Sequence, residues 1–242
     1  MKAMILAAGL GTRLKPLTDN IPKALVEVKG VPMLERVICN MKDQGFNQIV
    51  VNVHHFAEKI IEFLNTKDFG VEISISDEKG KLLDTGGGIV NAMPLLFKND
   101  DSPVLIHNVD ILSNAVLKDV MDSVKDNGAA LFVSERGSSR KLIFDKHMNL
   151  RGWHDINKEK FRPEGYCLSK DDSELAFSGI YAMSLKGVEE MEAKMGKEPF
   201  SVMDYFLLPT REKNIKGVKS ETLKILDIGK PATLLQASSM VE

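Results

Sequence analysis

Cysteine is nearly missing from this 242-residue chain: Cys39 and Cys167 are the only two, far apart and in no metal-binding spacing. A disulfide framework is therefore excluded, and a reducing compartment, the cytoplasm, is the expected location. Charge of one sign is also missing. Lys and Arg number 32 against 34 Asp and Glu, a net charge of −2, so bulk charge advertises neither a nucleic acid nor a membrane surface. Any anionic ligand must be held by a local site. No apolar run approaches the length of a membrane span, and Lys2 to Leu6 is too short for the core of a signal peptide. Histidine and cysteine form no H-E-x-x-H or C-x-x-C pattern, so no zinc centre is expected. Repeats, low-complexity tracts and a convincing interdomain linker are absent as well.

What is present is an ordinary globular composition, 43% hydrophobic and 27% charged, in a chain large enough to bury a sizeable core. Strand and helix patterns alternate, which predicts an α/β fold with a mixed, mostly parallel sheet flanked by helices. Strands are expected at Lys2 to Ala7, Ile49 to Val53, Val71 to Ile75, Val104 to Ile106 and Ala130 to Val133. Pro32 opens a helix with Met33, Val37, Ile38 and Met41 on one face, and a second helix carries Ile60, Ile61 and Leu64. Later elements are a hairpin over Lys141 to Trp153, a polar mobile loop from Asn157 to Asp172, and a strand from Leu175 to Met183. Helices follow around Val188 to Met195 and Val202 to Leu207. A strand at Leu223 to Leu226 and a terminal helix opened by Pro231 close the pattern. Residues 1–242 read as one domain, with 134–178 as a substrate-side insertion or lid.

Gly9-Leu10-Gly11-Thr12-Arg13 follows the first strand, where phosphate-binding loops sit. A dinucleotide fingerprint fails because Leu14 stands where its third Gly or Ala is needed, and no Gly-Lys-Ser/Thr exists for a Walker loop. Glycines let backbone N–H groups approach a triphosphate, with Arg13 and Lys23 as cationic partners. A second cluster, Asp84-Thr85-Gly86-Gly87-Gly88, precedes a helical run from Ile89. Three adjacent glycines cost backbone entropy, which points to close approach to something flat; read alone, the cluster is better explained as a loop-to-helix junction. Asp110 and Asp227 each end a strand, at the edge where open α/β sheets collect ligands, and two carboxylates delivered there suit Mg²⁺. A strand-end turn is the other common use of such an Asp.

The long string from Leu6 to Thr18, followed by Pro22-Lys23, resembles the signature of the sugar-1-phosphate nucleotidyltransferases, which have a Rossmann-like fold. Thr85 to Ile89 is similar to their uridylyl subgroup of cell-wall recycling, which acts on N-acetylmuramate 1-phosphate. The resemblance implies UTP and that sugar phosphate, or a related amino-sugar phosphate, as substrates. It implies Mg²⁺ at Asp110 and Asp227, with Arg13, Lys23 and Asp110 catalytic. Nucleotide contacts are implied at Ala8, Gly9, Gly11, Thr12, Gly86, Gly87 and Gly88, and sugar contacts at Asn108, Ser178 and Gly179. Two departures stand out: Val109 replaces the Gly usual before the first metal Asp, and the Glu-Lys-Pro motif for the sugar phosphate is missing, which leaves Arg140 or Lys141 as its substitute.

Other residues stay in the background. His54 and His55 either shape the pocket or are satisfied strand-end histidines. Trp153 and Phe161 read as core or lid packing, and the mixed charges around Lys158 to Lys160 as a solvated face. A monomer or small homo-oligomer is expected. The alternatives within enzymes are a cytidylyltransferase acting on phosphocholine and a mannose-1-phosphate guanylyltransferase; outside enzymes, a nucleotide-binding regulatory module.

Overall fold

Strand β1 (Lys2–Leu6) is apolar toward both faces, as a central strand of a parallel sheet must be. Ala3 and Ile5 pack into one hydrophobic cluster and Met4 into a second on the other face, all fully buried. The computed structural model describes residues 1–78, 80–124, 128–208, 214–220, 223–229 and 231–240. A short hairpin, β2 (Glu27–Val28) and β3 (Val31–Pro32), leads into α1 (Met33–Asp43). Then come β4 (Gln48–Val53), α2 (Ala57–Asn65), β5 (Glu72–Asp77), α3 (Asp84–Leu96) and β6 (Val104–Asn108). A three-residue strand β7 (Ile111–Ser113) and α4 (Leu117–Asp122) precede β8 (Gly128–Ser134), β9 (Arg140–Phe144), β10 (Leu150–Asp155) and β11 (Lys160–Arg162). The chain continues with β12 (Ser173–Met183), α5 (Leu185–Met195), α6 (Val202–Phe206), β13 (Asn214–Lys219), β14 (Ile225–Asp227) and α7 (Pro231–Met240).

Ten strands form one sheet, ordered β11-β10-β9-β12-β6-β1-β4-β5, with β8 beside β12 and β13 beside β8. The pairs around β1 are parallel, as is β8 with β13, whereas β12 runs antiparallel to β6, β8 and β9. This is the mixed, mostly parallel sheet flanked by helices that the alternation predicts. One face packs Leu34, Val37, Ile38 and Met41 of α1 and Ile60 and Leu64 of α2 against the strands. The other packs Ile89 and Val90 of α3 and Val188 and Met191 of α5. Each such fully buried side chain contributes about 1.5–3 kcal/mol, so the strand ends that carry the site are fixed by a large reservoir of burial.

Two expectations change. The helix expected from Ile89 begins at Asp84 and contains the glycine triplet. The polar stretch 157–172 is not all loop, because Lys160–Arg162 pairs with β10 as the outermost strand. Segment 134–178 thus widens the sheet at one edge.

Candidate active site

The carboxyl ends of β1 and β6 open onto a cleft of about 560 Å³, with Ala8, Gly9, Arg13, Lys23, Asp84, Thr85, Asn108 and Asp110 among its walls. Gly11 turns the loop. Its φ is +68°, in the left-handed region, and a Cβ there would press within 3.0 Å of Thr18 and 3.1 Å of Lys23. The Thr18 hydroxyl donates to the Gly11 carbonyl at 2.8 Å, closing the loop on itself. Thr12 follows in a short 3₁₀ turn, exposed and outside the cleft wall, while Leu14 anchors the turn in a small core shared with Val26, Met33 and Ile228.

That small core links the loop to the second aspartate. β14 pairs antiparallel with β7, setting Asp227 opposite Ile111, and the Ile228 N–H donates to the Asp110 carbonyl at 2.9 Å. Asp110 and Asp227, distant in sequence, are therefore neighbours. A Cβ built on Gly229 would lie 2.7 Å from Asp110 Oδ2, 2.9 Å from Asp227 Oδ1 and 2.9 Å from Lys23 Nζ. Lys23 is ion-paired to Asp110, with both side chains largely buried. Partial burial lowers the effective dielectric, so this cradle of two carboxylates and one ammonium, one negative charge in excess, attracts a cation strongly. Among the described residues, no group of three or more His, Cys, Asp and Glu side chains gathers as a metal centre.

The glycine triplet has internal partners. A Cβ on Gly86 would come within 2.1 Å of the Phe200 ring, one on Gly87 within 3.1 Å of the Glu198 carbonyl, and one on Gly88 within 2.6 Å of Glu78 Oε1. The Gly86 and Gly87 N–H groups both point to the Phe200 carbonyl. The flat object approached at Gly86 is thus the protein's own phenyl ring, and it is Asp84 and Thr85 that face the cleft.

Gly88 also makes room for a network that sequence reasoning missed. Asn52, buried in β4, accepts the Ala7 N–H at 2.7 Å and donates to Glu78 Oε1 at 2.6 Å. Glu78 Oε2 accepts the Leu83 N–H at 2.8 Å, and His54 Nδ1 lies 2.9 Å from the Glu78 carbonyl. Burial pushes the Glu78 carboxyl above its ordinary pKa, against the hydrogen bonds from Leu83 and Asn52 that favour the anion. The network clasps the start of the glycine-rich loop to the start of α3, the two walls of the cleft. Its signal was a lone Asn in the otherwise apolar run Ile49-Val50-Val51-Asn52-Val53, since a buried polar side chain demands a partner.

Among the residues expected to contact the sugar, Gly179 has φ +81°, and a Cβ there would meet Asn108 Nδ2 at 2.7 Å, so Gly179 and Asn108 lie together. Ser178 is turned inward. Its buried hydroxyl accepts the Ile180 N–H at 3.0 Å and donates to the Ile180 carbonyl at 3.2 Å, within the irregularity of β12. Arg140 does not join the first cleft. It lies across a second cavity, of about 510 Å³, with its Nε 3.6 Å from Asp155 Oδ2. Val109 is buried in the core against the sheet and contributes to the cleft wall.

A strand-loop-strand site at the carboxyl edge of such a sheet, closed by two remote aspartates, is the kind of arrangement that handles phosphoryl groups. The chain belongs to the nucleotidyltransferase family: the model described as "Nucleotidyl transferase" matches residues 2–141, more than half its length. It is an enzyme of that type. A relative named N-acetylmuramate alpha-1-phosphate uridylyltransferase, from Caulobacter vibrioides, is 31% identical over 98% of this chain and 95% of its own. One of the same name from Neisseria meningitidis serogroup B is 43% identical over 47% of this chain and 48% of its own. The solved structure of HddC from Yersinia pseudotuberculosis complexed with GMP-PN is 23% identical, with a TM-score of 0.76 over 100% of this chain and 99% of its own, a likeness of fold.

Proposed function

We propose that this chain joins UTP to N-acetylmuramate 1-phosphate, or a related amino-sugar 1-phosphate, forming a nucleotide sugar and releasing pyrophosphate. The observation that carries the reading is the convergence of Asp110, Asp227 and Lys23 beside the glycine-rich loop. The choice of substrates draws support from the relative that aligns along nearly its whole length with this chain.

A phosphate oxygen of the sugar phosphate attacks the α-phosphorus in line, the bond to the bridging oxygen breaks, and pyrophosphate departs. A phosphate monoester has its second pKa near ~6, so at neutral pH the attacking oxygen carries no proton that a base must remove. The barrier is repulsion between two anions, and fixed positive charge lowers it. Lys23 supplies that charge near the reacting phosphorus, and Arg13, on the loop side of the cleft, faces the leaving pyrophosphate. The donor set fits Mg²⁺, a hard cation that takes few protein ligands: Asp110 Oδ2 and Asp227 Oδ1 both lie beside Gly229, which has no side chain to crowd them. Asp110 and Asp227 would hold the ion, which would supply further neutralisation of phosphate charge.

Pyrophosphate release tests the reading, with UTP, CTP, GTP and dTTP each offered against N-acetylmuramate 1-phosphate, mannose 1-phosphate and choline phosphate. The expected productive pair is UTP with N-acetylmuramate 1-phosphate. Nucleotide binding without release for every acceptor would mark a regulatory module instead.

A further inference from the structure

The clasp between the two walls of the first cleft has a fixed polarity. Its ends are both main-chain donors: the Ala7 N–H just past β1 and the Leu83 N–H just before α3. Ala7 donates to Asn52 Oδ1 at 2.7 Å, Asn52 Nδ2 donates to Glu78 Oε1 at 2.6 Å, and Leu83 donates to Glu78 Oε2 at 2.8 Å. Every donor in this chain meets an acceptor only because one side chain is an amide and the other a carboxylate. The surroundings are shaped to admit them. A Cβ on Gly88 would stand 2.6 Å from Glu78 Oε1 and 2.9 Å from Asn52 Nδ2, and His54 Nδ1 donates to the Glu78 carbonyl at 2.9 Å.

Stability alone does not call for this chemistry. Both side chains are buried, and a carboxylate is costly to bury where an apolar pair of the same shape would fill the space. What an apolar pair cannot do is hold two N–H-bearing segments at one separation. Ala7 leads into Ala8 and Gly9 on one wall, and Leu83 is flanked by Leu82 and Asp84 on the other; all but Leu83 line the cleft. Asn52 reaches the cleft lining, whereas Glu78 lies behind it. Lys23, Asp110 and Asp227 stand outside this chain of bonds.

We propose that Asn52 and Glu78 are positioning residues that set the spacing of the cleft walls for the nucleotide. The inference rests on the nucleotidyl-transfer reading above and deepens it. Asn52 acts through Ala7 and Glu78 through Leu83, and neither acts on the reacting phosphorus. With the clasp broken, the walls sample other separations, and apparent nucleotide affinity falls by the fraction of molecules left competent to bind.

The test exchanges the two chemistries. Glu78→Gln leaves one oxygen for two donors, and Asn52→Asp sets two carboxylates against each other. The double variant Asn52→Asp/Glu78→Gln gives every group a partner again, with the carboxylate accepting from Ala7 and from the amide, and the amide oxygen accepting from Leu83. UTP binding is measured by calorimetry, and kcat and both KM values by pyrophosphate release with N-acetylmuramate 1-phosphate, on protein shown to be folded by circular dichroism. Each single variant is expected to bind UTP about ten-fold more weakly and to raise the KM for UTP equally, with kcat and the KM for the sugar phosphate within about two-fold of wild type. The double variant returns to within about three-fold of wild type. A clasp that only stabilises the fold would lower the active fraction, and so kcat, with the KM for UTP unchanged; that result overturns the proposal, as does a double variant no better than the single ones. If neither single variant folds, the double variant decides: near-wild-type UTP binding supports the proposal, and a ten-fold loss overturns it. A wild type that binds UTP without releasing pyrophosphate overturns the transfer reading and leaves calorimetry to decide the clasp. A wild type that binds no UTP overturns both.

Discussion

Around the first cleft the walls hold one another. Asn52 and Glu78 clasp the glycine-rich loop to α3, Phe200 fills the space above Gly86, and Ile228 locks Asp227 beside Asp110. Around the outer cavity the walls come from the edge hairpin, β12 and α6, and among the described residues Lys158 and Lys160 have no carboxylate within ion-pair distance. The first region is preorganised, and the second leaves its charged side chains free to adapt. Phosphoryl transfer depends on charges fixed in advance, because a group that must reorganise during the reaction stabilises the transition state less.

If this contrast is correct, the first cleft is intolerant of even one added methyl group. Gly229→Ala places a Cβ among Asp110, Asp227 and Lys23, and kcat for pyrophosphate release is expected to fall about a hundred-fold with the thermal midpoint little changed. An active Gly229→Ala would mean that the three groups do not work from this arrangement. Gly86→Ala is the structural counterpart. Its methyl collides with Phe200, and a loss of roughly 1–3 kcal/mol in unfolding free energy is expected from denaturant titration. A variant as stable as the wild type, with only nucleotide affinity reduced, would return the triplet to ligand contact.

A smaller effect sits beneath the same cleft. Complete burial lowers the pKa of His107 to about 4, although the Asn108 carbonyl and Asp110 favour its charged form. The unfolded chain takes up this proton near pH ~6.5, before the folded one does, so stability present above that pH declines as acid carries the protein through about 4. The thermal midpoint should fall across this window more steeply for the wild type than for His107→Gln. Parallel curves would remove His107 from the account.

Most of the frame was legible in the sequence, because buried parallel strands and amphipathic helices announce themselves by period. Met33, Leu34, Val37, Ile38 and Met41 are all buried on α1, and β12 and α6 lie where their apolar patterns put them. The loop was legible as a long motif, and the two aspartates as strand ends that the family resemblance singles out. What escaped has no local period. The pairing of β7 with β14 joins residues more than a hundred positions apart through three rungs. The triplet read as a break because glycine is a poor helix former, yet tertiary packing against Phe200 and Glu78 overrides that preference. Lys158 and Lys160 are indistinguishable from surface charge until the hairpin turns them around a cavity.

The claim on which the account turns is that Asp110 and Asp227 act as one cation-binding pair. Mn²⁺ shares the preference of Mg²⁺ for oxygen ligands, and its binding is read directly by electron paramagnetic resonance in the presence of a non-hydrolysable UTP analogue. The wild type is expected to bind the ion tightly, and Asp110→Asn and Asp227→Asn are each expected to lose most of that affinity while keeping the folded spectrum in circular dichroism. Undiminished Mn²⁺ binding by either variant would contradict the pair.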